Sequence, residues 1–172
     1  LYISDSSFRS RAEGDSFLDP KPGVILIKSG DIDINQSFIE TTNIIPRESA
    51  FAGRDKLGKF NNTEYYTSDV LINSFGNISL EGSHITTNGE ANKDSGDIFI
   101  KANNILVSKS DLRTSAVNGN GGDIDIDIKN TIFLDHGMLR TTRESTRTAL
   151  EENKTGNVII KSNLLKMNAG NI

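Results

Sequence analysis

GDIFIKANNILVSKSDLRTS, residues 96–115, is the unit that the rest of the chain repeats. Ile98 and Ile100 alternate with Asp97, Phe99 and Lys101, and after Ala102, Asn103 and Asn104 the alternation resumes at Ile105 and Val107. A period of two is the signature of a strand, whose successive side chains point to opposite faces. A second break at Ser108, Lys109 and Ser110 precedes Leu112, which stands between polar neighbours, and then Thr114 and Ser115, a third and shorter strand. The unit is three strands joined by two tight corners.

Residues 23–42 (GVILIKSGDIDINQSFIETT) and 156–172 overlay this unit without a gap, and residues 68–87 and 122–142 do so with one extra residue at the first corner. Residues 1–11 fit its second half, so the chain is expected to be a fragment of a longer array that begins and ends in mid-repeat. The overlays define columns. Five are apolar: Ile25, Val70, Ile98, Ile124, Val158; Ile27, Ile72, Ile100, Ile126, Ile160; Leu1, Ile32, Ile78, Ile105, Ile132, Leu165; Ile3, Ile34, Leu80, Val107, Leu134, Met167; and Phe8, Ile39, Ile85, Leu112, Leu139, Ile172. A sixth is small: Ser6, Ser37, Ser83, Ser110, Gly137, Gly170.

A repeat of about 20 residues cannot bury its apolar face alone, so neighbouring repeats must stack and share one core. Coils stacked ~4.8 Å apart with parallel strands form a parallel β-helix, predicted here with three strands per coil and about five coils. The small column fits a corner where a bulky side chain would strike the chain wall, and Asn, Gly and Ser suit the turns.

Composition narrows the possible functions. There is no cysteine, hence no disulfide framework and no thiol or cysteine–zinc chemistry. A net charge of −4 argues against nucleic acid, whose phosphates need a concentrated basic face. No run approaches the ~18 apolar residues of a helical membrane span. No cofactor is implied.

Chain length varies mainly at one edge of the rod. Residues 43–67 form the longest excursion, rich in aromatics, expected to fold back on the rod with a short helix near residues 47–56 and to cover an outward apolar patch of Leu26, Leu71 and Phe99. Residues 143–155 are expected to make a helical turn or two. The predicted domain plan is therefore a single β-helix over residues 1–172 with residues 43–67 packed on it.

The G-[DN]-I pattern at Gly96-Asp97-Ile98, Gly122-Asp123-Ile124, Gly76-Asn77-Ile78 and Gly30-Asp31-Ile32, the related Gly156-Asn157-Val158, and the pairs Thr41-Thr42, Thr86-Thr87 and Thr141-Thr142 carry a resemblance. The chain resembles the repeat region of filamentous-haemagglutinin-like exoproteins of two-partner secretion systems. That resemblance implies a right-handed β-helix serving as the structural and adhesive shaft of a large protein, secreted or held at the surface of a Gram-negative-type bacterium. It also implies an outer-membrane transporter as partner of the parent protein, and a host or neighbouring-cell surface, with its glycans, as the target. The N-P-N-x signature of the family's secretion domain does not occur, so the resemblance implies a piece of the repeat shaft rather than the exported head.

Candidate chemistry sits in three places. Asp69, Asp97 and Asp123 form one column, which is read as outward, with Asp125 close by, a spacing compatible with Ca²⁺ or an acid/base pair. The competing explanation is that each aspartate bonds nearby backbone N–H groups as a turn residue. Arg113 and Arg140 stack on adjacent coils beside Glu40 and Thr86, where they would suit an acidic sugar. Arg113, Arg140, Asp97 and Asp123 together make the candidate ligand-contact face. His84 and His136 occupy different repeat positions and are expected to be solvated rather than paired. Ser10, Thr41, Thr87, Thr114 and Thr141 are expected to form a hydrogen-bonded ladder. No catalytic or metal residue is assigned, and the chain is expected not to be an enzyme. The alternative is a carbohydrate-active β-helix enzyme, a lyase or hydrolase of polysaccharides, which resembles the chain in fold alone.

Overall fold

The computed structural model describes residues 1–12, 23–43, 56–60, 63–66, 68–90, 93–144 and 154–172. Alternating aliphatic residues become strands wherever the overlays place them. The first partial turn holds β1 (Tyr2–Ser4) and β2 (Ser7–Ala12), and the next holds β3 (Ile25–Ser29), β4 (Ile32–Asn35) and β5 (Phe38–Asn43). After β6 (Lys56–Phe60) and β7 (Thr63–Tyr66) the following turn holds β8 (Val70–Ser74), β9 (Asn77–Glu81) and β10 (His84–Gly89). Then come β11 (Ile98–Ser108) with β12 (Asp111–Val117), β13 (Ile124–Asp135) with β14 (Met138–Glu144), and β15 (Val158–Lys161) with β16 (Leu164–Asn168). The described residues contain no helix.

All inter-turn pairing is parallel. One nine-stranded sheet carries the first and second strands of every turn, and a five-stranded sheet in the order β14-β12-β10-β5-β2 carries the third. The result is a parallel β-solenoid of about four turns, slightly fewer than the five expected, because the first and last repeats are incomplete. β11 and β13 run straight through the first corner, which merges what would have been two sheets. Their register shifts by one residue between Ala102 and Asn104, where the overlays require an extra residue.

The columns hold rung by rung. Ile27 pairs with Ile72, Ile72 with Ile100, Ile100 with Ile126 and Ile126 with Ile160. Ile3, Ile34, Leu80, Val107, Leu134 and Met167 stack likewise. All of these side chains except the exposed Met167 of the last turn pack into a single core, and each fully buried Ile or Leu contributes roughly 1.5–3 kcal/mol of apolar transfer energy.

The loop expectations fare unevenly. β6 and β7 form an antiparallel pair, whereas the helix expected near residues 47–56 falls, up to residue 55, outside the described residues. Leu71 and Phe99 are buried, but Leu26 of the same column is 54% exposed, so the patch is only partly covered. Residues 145–153 lie outside the described residues, and Arg143 and Glu144, expected to open a helical turn, instead continue strand β14 in pairing with Ala116 and Val117.

Candidate functional site

Most of the polar residues that invite a chemical interpretation turn out to hold the turns together. The carboxylates of the aspartate column each accept a backbone N–H from the next turn: Asp69 from Asp97 at 2.8 Å, Asp97 from Asp123 at 2.7 Å, and Asp123 from Asn157 at 2.7 Å. The bonds run between turns, so the local-turn explanation is corrected to an inter-turn one. Asp69 is fully buried rather than outward, and Asp97 and Asp123 are partly buried. Among the described residues no group of three or more His, Asp or Glu side chains is placed to hold a metal ion.

The small column works the same way. Ser37 Oγ accepts the N–H of Ser6, Ser83 Oγ that of Ser37, and Ser110 Oγ that of Ser83, each at 3.0–3.1 Å. Each of these hydroxyls in turn donates to the carbonyl two residues before it. At Gly137 a Cβ would press on the Val107 carbonyl, which explains the loss of the side chain there. The residue preceding this column is left-handed at every turn: Asp5, Gln36, Gly82, Lys109, His136 and Ala169 have φ between 45° and 57°. Five of the six are not glycine, and each such residue pays a backbone cost of ~1–3 kcal/mol. The corner is held because their N–H groups donate to carbonyls of the next turn, as Gln36 does to Glu81 and Lys109 to Asp135.

The threonines do not form a ladder with one another. Thr87 donates to the carbonyl of Gly96 at 2.6 Å, Thr114 to Gly122 at 2.5 Å and Thr141 to Gly156 at 2.7 Å, and Thr41 donates to Ser68. Each hydroxyl thus fastens the end of one turn to the start of the next. Gly96, Gly122 and Gly156 are required by close approach, since a Cβ on any of them would overlap the carbonyl of the residue stacked beneath it, whereas Gly30 of the same pattern has open space there.

Arg113 and Arg140 are paired in register on β12 and β14, and each is already engaged. Arg140 clamps the Asp111 carboxylate through Nε at 3.2 Å and Nη2 at 2.5 Å, a two-point contact with a nearly buried partner. Arg113 reaches Thr142 Oγ1 at 3.4 Å and Ser115 Oγ at 3.2 Å. The arginines lie in the five-stranded sheet, whereas Asp97 and Asp123 immediately precede strands of the other sheet, so the candidate face divides into two separate pairs. His84 stacks on the Phe38 ring at 4.8 Å, and His136 stands at a left-handed corner with Nδ1 3.0 Å from Asp135 Oδ1.

Asp125 departs from this economy. It follows Phe99 and precedes Ile159 in an outward row, and its Oδ1 is buried without a hydrogen bond. Burial pushes its carboxyl above the usual range, Lys161 at 3.9 Å opposes the shift, and Asp127 and Asp123 reinforce it. Asp127 itself pairs with Lys101 at 3.5 Å. The overlay places Asp127 between Lys101 and Lys161, but Lys161 leans back along the strand to Asp125 instead.

One surface has no counterpart in the sequence analysis: an open groove of about 620 Å³ on the outer face of β4, β9, β11 and β13. Two rows line it. The row at the first corner runs Asp31, Asn77, Asn104, Thr131, joined by Asp31 accepting the N–H of Asn77 at 2.7 Å and by Asn104 Nδ2 donating to Asn77 Oδ1 at 2.7 Å. The outward strand row runs Tyr2, Asp33, Ser79, Leu106, Phe133, consecutive partners in the parallel register. Phe133 is 37% exposed and Tyr2 65%. Such a mixture of apolar side chains and a few fixed polar groups is the usual make-up of a binding groove.

No family model, curated protein or solved structure matches the chain. The chain is a parallel β-solenoid built from a repeat, with no helix among the described residues long and apolar enough to cross a membrane.

Proposed function

We propose that this chain is a structural and adhesive shaft segment of a filamentous-haemagglutinin-like exoprotein, presented outside a Gram-negative-type cell and contacting a host or neighbouring-cell surface. In this role the parent protein is exported by an outer-membrane transporter. The observation that carries the proposal is the use of the polar columns: the aspartates, serines and threonines that recur from turn to turn bond the main chain of adjacent turns. Side chains committed in this way favour a rod that repeats its cross-section over a converging catalytic constellation.

Adhesion is tested with beads coated with the chain and offered to epithelial and bacterial cells. The beads are expected to attach, with soluble chain competing; attachment no greater than that of beads carrying an unrelated protein would contradict adhesion. Incubation with pectin and alginate panels addresses the enzymatic alternative. New reducing or unsaturated ends, lost in Asp97→Ala with Asp123→Ala, would replace the shaft by a polysaccharide-degrading enzyme.

A further inference from the structure

We infer that the groove over β4, β9, β11 and β13 is a binding site for an uncharged oligosaccharide lying along the rod axis. This deepens the adhesive proposal and depends on it for its biological setting, though its chemistry stands on the groove alone.

The axial direction follows from the stacking. Both lining rows advance one residue per turn, so the groove runs along the rod and each turn adds one contact position to each row at a spacing of ~4.8 Å. A linear ligand with repeating units is the natural complement.

The polar character selects hydroxyl-bearing units. Asn77 Nδ2, the Ser79 and Thr131 hydroxyls and the Asp33 carboxylate make none of the described hydrogen bonds, although Asn77 Oδ1 and the backbone N–H of Thr131 are both used within the corner row. Donors and acceptors thus stand side by side, as a sugar hydroxyl requires, since it does both. Leu106 and Phe133, adjacent in the outward row, supply an apolar wall for the C–H face of a pyranose ring.

Charge decides the class of sugar. The charged side chains lining the groove, Asp31 and Asp33, are both negative and outnumber the one ammonium there, that of Leu1, which donates to the Asp31 carbonyl at 2.7 Å, so uronic, sialic or sulfated units are disfavoured. A lysine-rich peptide is the competing occupant. Asp31, which also holds the N–H of Asn77 through Oδ1, and Asp33 are two carboxylates for a whole row of ammonium groups, and Leu106 offers such a peptide's charges nothing.

The test is binding of the whole chain, by calorimetry, to neutral hexose and N-acetylhexosamine oligosaccharides, to uronic and sulfated oligosaccharides, and to a lysine-rich peptide. Neutral oligosaccharides are expected to bind, and Phe133→Ala and Asn77→Ala are each expected to weaken them about tenfold, the scale of losing one central contact. Ser79→Trp, which fills the groove from an outward position, is expected to abolish binding while the melting temperature stays at that of the parent. Binding of acidic sugars or the peptide alone, binding of no probe, or neutral-sugar binding untouched by Phe133→Ala and Ser79→Trp would each overturn the assignment. Coated beads separate this inference from the adhesive proposal. Beads carrying Ser79→Trp that still attach to cells as well as the parent leave adhesion standing and remove the groove as its basis, whereas calorimetric binding without cell attachment leaves the groove standing and removes adhesion.

Discussion

Ser79 and Ser83 stand four residues apart on the same turn, yet the first faces the groove with its hydroxyl free of protein partners and the second is completely buried and makes three contacts. Ser83 accepts the N–H of Ser37 and lies within hydrogen-bonding distance of the carbonyls of Glu81 and Ile34. Ser83 belongs to a column that is small on every turn, whereas Ser79 stands in a row that changes at every turn, and only Ser83 meets the main chain of the turn beside it. Residue type alone therefore does not separate framework from surface. What separates them is whether the side chain answers a backbone group that the corner would otherwise leave unpaired.

The largest effect is expected inside the rod. Ile126→Asp places a carboxylate between Ile100 and Ile160 with no partner, and the protein should either neutralise it at the expense of several kcal/mol or unfold the turns around it. A melting curve equal to that of the parent would refute the inward column. Next comes the direct contrast between the two serines. Ser83→Ala leaves the buried N–H of Ser37 without an acceptor and should cost about 1–3 kcal/mol in urea unfolding. Ser79→Ala removes no protein contact and should stay within about 0.5 kcal/mol. Equal losses at both sites would erase the distinction between corner and groove.

Asp125 sharpens the comparison because it is an outward carboxylate that burial penalises. Its folded-state pKa is raised, so the folded protein holds the proton more tightly than the unfolded chain does, and stability falls as pH climbs from the ordinary Asp value, near ~3.9, through the folded value. Asp125→Asn is expected to melt above the parent at neutral pH and to lose that advantage once the pH drops below about 4. A constant difference across that range would show that burial does not govern this carboxylate. A small effect is expected at the fully outward Asp127, whose pairing with Lys101 joins two side chains each about half exposed. Asp127→Lys should cost ~0.2–1 kcal/mol at low salt and less as salt is added, which salt-dependent melting would read out.

Much of the fold is written as alternation, and the overlays carry it from Ile25 to Ile160 without a register error, because each inward aliphatic residue must meet its like on the next turn. The left-handed corner was not legible. Asp5, Gln36, Gly82, Lys109, His136 and Ala169 share no side-chain chemistry, and the conformation is imposed by backbone bonds between turns rather than by residue type. Diagonal contacts were equally hidden. Arg140 reaches Asp111 and Lys161 reaches Asp125, whereas the register sets them opposite Arg113 and Asp127. The groove escaped for a third reason: Tyr2, Asp33, Ser79, Leu106 and Phe133 differ at every turn, and a row free to vary leaves no pattern to find. The columns of Asp97 and Thr114 were visible as columns, but their partners, the N–H of Asp123 and the carbonyl of Gly122, belong to the main chain and carry no sequence signal.

The turn-to-turn register is the claim on which everything else rests, and cross-linking tests it directly. The chain has no cysteine, so an introduced pair has no competitor. Thr86 and Arg113 are register partners on β10 and β12, and a spacing of ~4.8 Å between adjacent strands falls within the Cα separation a disulfide accepts. Under mild oxidation, Thr86→Cys with Arg113→Cys should close an intramolecular disulfide detectable by mass spectrometry, whereas Thr86→Cys with Arg140→Cys, two turns apart, should remain reduced or link only between molecules. Closure of the second pair in preference to the first, or of neither, would contradict the stacked register.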